Sequence, residues 1–129
     1  MKEFNKKRMK KLLDKKWAEL VKLRAGYRCE WCGKKSERLN SHHIFSKRNT
    51  STRWIPENGV CLCVGCHFRA HQEPVEFVRF IEKERGKDLL DMLRIETNTP
   101  KKFTKEVFQY FSELLDSEFR RLGRYQKIL

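Results

Sequence analysis

Apolar residues recur with a helical period along the start of the chain. Leu12, Leu13, Trp17, Leu20, Val21 and Arg24 follow one face, and lysines occupy the other. This pattern predicts a helix over residues 3–25, closed by Gly26 at the first position past its end. From 27 to 73 the helical period gives way. "YRCEWCGKK" reads as a tight turn, "RLNSHHIF" as a short strand, "SKRNTSTRWIPE" as a polar, basic loop, and "NGVCL" as a second strand. "VGCHFRAHQ" then reads as a helix that Pro74 ends or interrupts. Residues 75–85 form an amphipathic helix closed by Gly86, 88–95 a weaker one, and "TNTP" a loop. The last helix is expected from about Thr104, its N-cap, to Leu122, with Phe103 stapled onto Phe108. Its stripe of Phe108, Phe111, Leu115, Phe119 and Leu122 reads as a core face or, failing that, as a surface for a second copy or a protein partner. The expected class is α+β. A basic N-terminal helix (1–26) packs on a central unit (27–73), which a helical extension (74–129) follows.

The central unit carries the chemistry. Cys29-x-x-Cys32 and Cys63-x-x-Cys66 are two knuckles thirty residues apart. Two such pairs present four thiolates tetrahedrally to zinc, whereas one pair alone would also suit thiol redox chemistry. A structural Zn2+ at these four cysteines is therefore expected. Cys61, two residues before Cys63 on the second strand, is left over and reads as a small buried apolar residue. All four histidines of the chain are interleaved with these cysteines, and a four-thiolate site needs none of them. His42 and His43 are neighbours on a strand, so their side chains point to opposite faces and cannot share one task. His67 and His71 are four residues apart on a helix, the spacing by which a helix offers two imidazoles to one metal. A second metal centre is expected.

Charge narrows the partner. The chain has 129 residues, with 30 Lys and Arg against 17 Asp and Glu, a formal charge of +13. Ten of the basic residues fall within positions 1–24 against three acids, while positions 74–129 hold twelve against ten. A polyanion is the expected partner, met by the N-terminal half. No stretch is long and apolar enough to span a bilayer, the lysine-rich start lacks the apolar segment of a signal peptide, and the odd count of five cysteines argues for metal ligation rather than disulfides. No membrane association and a reducing, cytoplasmic setting are expected.

"SHHI", Asn58 and "LCVGCH" together resemble the HNH endonuclease family, the ββα-metal nucleases, and "YRCEWCG" after a helix resembles its zinc-binding subset. The resemblance covers residues 15–73. "SHHIFSKRNTSTRWIPENGVCLCVGCH" is also similar to phage recombination nucleases of the NinG type, with Arg48 and Arg53-Trp54 between the His pair and the Asn. If so, the cytoplasm would be that of a host cell. The resemblance implies a ββα-metal core and a metal-dependent hydrolase of DNA phosphodiester bonds. In that family His43 would be the general base, and His42 and His67 would hold the catalytic metal. His71 would be a third ligand, as in members with His-x-x-x-His here. Asn58 would bridge strand and loop and orient His43. Imidazole ligands suit Mn2+, Ni2+ or Co2+ better than the oxygen-preferring Mg2+, which could still act through abundance. Lys47, Arg48 and Arg53 lie in the loop beside the expected scissile phosphate, where they would neutralise DNA backbone charge with little sequence preference. Trp31 and Trp54 are candidates for base stacking or for packing. The rival from another class is a zinc-dependent DNA-binding module without catalysis, which would need neither the His pair nor Asn58 and His67.

Overall fold

The computed structural model describes the backbone of residues 4–128 and the side chains of residues 4–123. Among the described residues there are five helices and one two-stranded antiparallel sheet. Helix α1 (Lys6–Arg24) starts at Asn5, whose side chain accepts the Arg8 N–H. Residue 3, where the sequence pattern places its start, lies outside the described residues. The buried face of α1 is Leu13, Trp17, Leu20 and Val21. Leu12, expected on this face, is 43% exposed, because one residue along a helix turns the side chain by about 100°. Gly26 and Tyr27 both take left-handed backbone angles, φ 66° and 57°. This reverses the chain into the first knuckle.

Strand β1 (Leu39–His43) pairs with β2 (Gly59–Cys63), in a register that sets Leu39 opposite Cys63 and His43 opposite Gly59. Both strands differ from expectation at both ends: β1 is shorter than 38–45, and β2 is shifted one residue beyond 58–62. β1 stops at His43 because Asn58 takes over the next residues. Its backbone carbonyl receives the Ile44 N–H, and its side chain bonds both backbone groups of Phe45. Asn58 itself closes a short 3-10 turn, Pro56–Asn58, and β2 begins one residue later. Gly59 lies against α1. A Cβ there would overlap Val21 and stand 2.8 Å from Trp17, so the bare backbone lets helix and sheet touch.

Helix α2 (Val64–Gln72) follows β2 directly, and α3 (Pro74–Arg85) begins on Pro74, which ends one helix by heading the next. Helix α4 (Lys87–Thr97) runs slightly longer than the sequence pattern suggests. Helix α5 (Lys105–Ile128) runs past Leu122 and through Gly123. Its start agrees with expectation, since Thr104 Oγ1 accepts the Val107 N–H and Phe103 stacks on Phe108.

Two apolar clusters divide the interior. One joins α1, Trp54, Cys61 and the stripe of α5, with Phe108, Phe111 and Leu115 buried and Phe119 and Leu122 packed at the edge. The Phe108, Phe111 and Leu115 part of that stripe is core. The other cluster joins Cys29, Val60, Leu62 and Ala70 to Phe77, Ile81 and Leu90 of α3 and α4. The C-terminal segment thus closes both cores.

Candidate metal centres and the histidine cavity

The two knuckles converge. Cys29 sits on the turn after α1, where the Gly33 N–H bonds the Cys29 carbonyl, and Cys63 caps the N-terminus of α2. The four sulfurs of Cys29, Cys32, Cys63 and Cys66 lie within 4.8 Å of one another. Sulfurs held tetrahedrally at about 2.3 Å from zinc stand about 3.8 Å apart, and the Cys32 and Cys63 sulfurs are 3.8 Å apart. In each knuckle the second cysteine's N–H points at the sulfur of the first, Cys32 to Cys29 and Cys66 to Cys63. Burial alone would raise the Cys29 thiol, but backbone N–H groups of Cys32, Cys63 and Trp31 outweigh it and hold it at about 7. The donor set, spacing and N–H···S pattern fit a metal ion such as zinc. Glu30, inside the first knuckle, accepts the Cys61 N–H and pairs with Arg85 of α3 at 2.8 Å. This ties the knuckle to sheet and helix. Cys61 itself is fully buried, and burial followed by the nearby Glu30 raises its thiol to about 11.

The histidines separate as strand geometry requires. His42 turns toward α2, where its ring meets His67 and His71 at centroid distances of 4.9 and 5.1 Å. One ring nitrogen from each of the three lies within 4.8 Å of the others, with His67 and His71 Nε2 atoms 3.3 Å apart. Two nitrogens bound to one ion at about 2.0–2.1 Å in a tetrahedral arrangement stand about 3.3–3.4 Å apart, so these three residues also fit a metal. Burial and then the neighbouring His67, His71 and His43 rings push the His42 imidazole down to about 4. It is therefore neutral at pH 7, with a lone pair to give.

His43 faces α1 instead. Its ring stacks on Trp17, with centroids 3.9 Å apart and planes 12° from parallel. Its Nε2 lies 3.0 Å from the Arg53 carbonyl oxygen. A carbonyl can only accept, so Nε2 carries the proton and Nδ1 keeps the lone pair. Burial lowers the His43 imidazole, against the pull of that hydrogen bond and of Asp14. Both His42 and His43 line a cavity of about 630 Å3, together with Lys47, His67, His71 and Phe77.

Asn58 makes no hydrogen bond to His43 among the described residues. Its buried side chain bonds Phe45 on both backbone groups and donates to the Thr52 carbonyl at 3.0 Å. It braces the 45–58 loop, whose Arg53 carbonyl meets His43. Lys47 and Arg48 are exposed in this loop. Arg53 is not: its guanidinium grips the Asp14 carboxylate with two bonds of 2.9 and 2.7 Å. Trp54 is fully buried and donates to the same carboxylate, so its role is packing. Trp31 stacks on Phe80, with Arg69 over its ring.

The sequence pattern did not bring Asp14 or Phe77 to the site, and it placed Trp17 on the core face of α1 without its stacking on His43. Phe77 of α3 packs edge-on against His42 at 5.1 Å. The signal for Asp14 was its position: one of two acids in α1, set between Leu13 of the core face and Lys15 and Lys16. Comparison of the chain with protein-family models, with curated proteins and with solved structures gave no match. No helix among the described residues is long and apolar enough to cross a membrane.

Proposed function

We propose that this protein is a metal-dependent endonuclease that hydrolyses DNA phosphodiester bonds, built on an HNH-type ββα-metal core with a separate zinc staple. The observation that carries this reading is the split of the adjacent histidines. His42 joins His67 and His71 in a ligand cluster, while His43 stands apart with Nε2 bonded to a carbonyl and Nδ1 unprotonated, and both open on one cavity. A non-catalytic zinc module has no use for that arrangement.

His42, His67 and His71 would hold the catalytic ion. When bound, such an ion supplies charge to the phosphorane and the leaving oxygen. His43 takes a proton from the attacking water at Nδ1, and the Arg53 carbonyl stabilises the imidazolium through Nε2–H. The Trp17 face fixes the ring plane. Lys47, on the cavity wall, and exposed Arg48 neutralise the flanking phosphates. The basic face of α1 extends this contact. Lys6, Lys7 and Lys11 are exposed, whereas the Lys10 ammonium lies 4.7 Å above the Phe103 ring and is partly engaged. DNA contact is expected to be to the backbone, with little sequence preference.

Incubation with supercoiled plasmid and with a four-way junction across Mn2+, Ni2+, Co2+ and Mg2+ tests the reading. Nicking that chelation abolishes is the expected result. Binding without strand breaks under every metal would leave the non-catalytic DNA-binding module as the better account. In the same preparation, Lys6, Lys7 and Lys11 all changed to Gln should flatten the dependence of affinity on salt, by about 0.9 in log–log slope per lost phosphate contact. The control triple change at Lys83, Lys87 and Lys105 should leave the slope alone. Equal effects would put the DNA on another face.

A further inference from the structure

We propose that Asp14 is a positioning residue for His43, acting across the α1–loop interface through Arg53. This rests on the reading of His43 as general base and extends it to a helix outside the ββα core.

Residues 52–55 are tied down at every position. Asn58 Nδ2 donates to the Thr52 carbonyl at 3.0 Å. The Arg53 guanidinium bonds Asp14 twice, and Trp54 Nε1 donates to Asp14 Oδ1 at 2.8 Å. Trp17 Nε1 donates to the Ile55 carbonyl at 2.9 Å. In the middle of this segment the Arg53 carbonyl receives the His43 Nε2–H. Asp14 and Trp17 are three residues apart on α1 and so share a face. One helix therefore sets both constraints on the imidazole: Trp17 fixes its plane, and Asp14 fixes the carbonyl that fixes its proton. The pair is shielded, with side-chain exposures of 17% for Arg53 and 35% for Asp14. Its geometry is bidentate, the kind of ion pair that holds direction as well as charge. Arg53 thereby serves through its carbonyl, with its guanidinium spent on anchoring the loop rather than on phosphate.

Asp14→Asn keeps the shape and removes the charge. Loosening the loop should misplace the base without touching the DNA surface or the metal ligands. Turnover is expected to fall about 10–100-fold, the scale of losses from small misplacement of reacting groups. KM and the affinity for added Mn2+ or Ni2+ should stay within twofold. Arg53→Gln should give the same loss, and the double variant no further loss, because both break one link. A second measurement does not depend on activity. In proton NMR the wild-type His43 Nε2–H, bonded and covered by Trp17, should give a slowly exchanging resonance, assigned by its loss in His43→Gln. Asp14→Asn and Arg53→Gln should both erase it while their melting temperatures show a folded chain. If Asp14→Asn does not fold, Arg53→Gln carries the test.

Retention of the resonance with unchanged turnover overturns the clamp and leaves the nuclease reading standing. A raised KM and a flattened salt slope in Arg53→Gln, absent in Asp14→Asn, overturn it in favour of a direct phosphate contact. If the wild type cuts no DNA with any metal, the nuclease reading falls, and the resonance alone still decides whether Asp14 holds His43.

Discussion

Cys29→Ser and Cys66→Ser are expected to dismantle the half of the interior that is built on the two cysteine knuckles, whose four thiolates fit a metal ion such as zinc. Metal bound by thiolates in small domains is worth about 10–16 kcal/mol at neutral pH, as large as the whole stability of a typical domain, about 5–15 kcal/mol. Cys29 belongs to the cluster with Val60, Leu62, Ala70, Phe77, Ile81 and Leu90, and Cys66 packs at its edge. The other cluster, between α1 and α5, contains no ligand except Cys63 at its rim. Loss of a thiolate should therefore release α2, α3 and the first knuckle to protease while part of the α1–α5 helicity persists. Limited proteolysis and circular dichroism, with metal content measured beside them, check this. Cys61→Ala is the control: the side chain is buried but distant from the ligand role, and its truncation should cost on the order of 1 kcal/mol. A metal-free wild type with full helicity and protease resistance would show that the knuckles do not need an ion.

Much of this architecture is legible in local pattern. The helical stripe of α1, the cap at Thr104, the break at Pro74 and the two C-x-x-C pairs each depend on residues close in sequence, so their geometry follows from spacing alone. The convergence of Cys29 and Cys32 with Cys63 and Cys66, and of His42 with His67 and His71, was also open to inference, because a short antiparallel pair followed by a helix has few ways to arrange them.

What the chain pattern hid is contact between distant segments. Arg53 reads as a loop cation ready for phosphate, and nothing near it in sequence shows the Asp14 carboxylate 39 positions away. Asn58 looks like an orienting partner for His43, yet its hydrogen bonds go to the loop that carries the Arg53 carbonyl. Residues 74–129 match no motif, and only packing shows that residues 77–122 cover both cores and bring Phe77 against His42. Periodicity identifies an apolar face but not the surface that covers it. The α5 stripe was therefore ambiguous between core and partner surface until α1 was seen against it.

On the proposed nuclease reading, His43→Ala is expected to lower DNA cleavage by about 10²–10⁴-fold, the usual cost of removing a general base, while affinity for Mn2+ or Ni2+ stays nearly intact. The reason is geometric. The His43 ring lies between Trp17 and the Arg53 carbonyl, on the opposite side of β1 from the cluster that His42 forms with His67 and His71. His42→Ala and His67→Ala remove members of that cluster. They should weaken the second metal, and raising its concentration should restore part of their activity and none of that lost in His43→Ala. His71→Ala should behave like a milder version of His67→Ala, because its ring is more exposed. All of these variants should bind zinc at the knuckles as the wild type does, since the four thiolates would hold such an ion without any imidazole. Calorimetric titration of each variant beside a plasmid-nicking assay separates the roles. If metal affinity falls in His43→Ala and survives in His42→Ala, the ligand and the base have been exchanged and the cluster on the α2 side is not where the chemistry occurs.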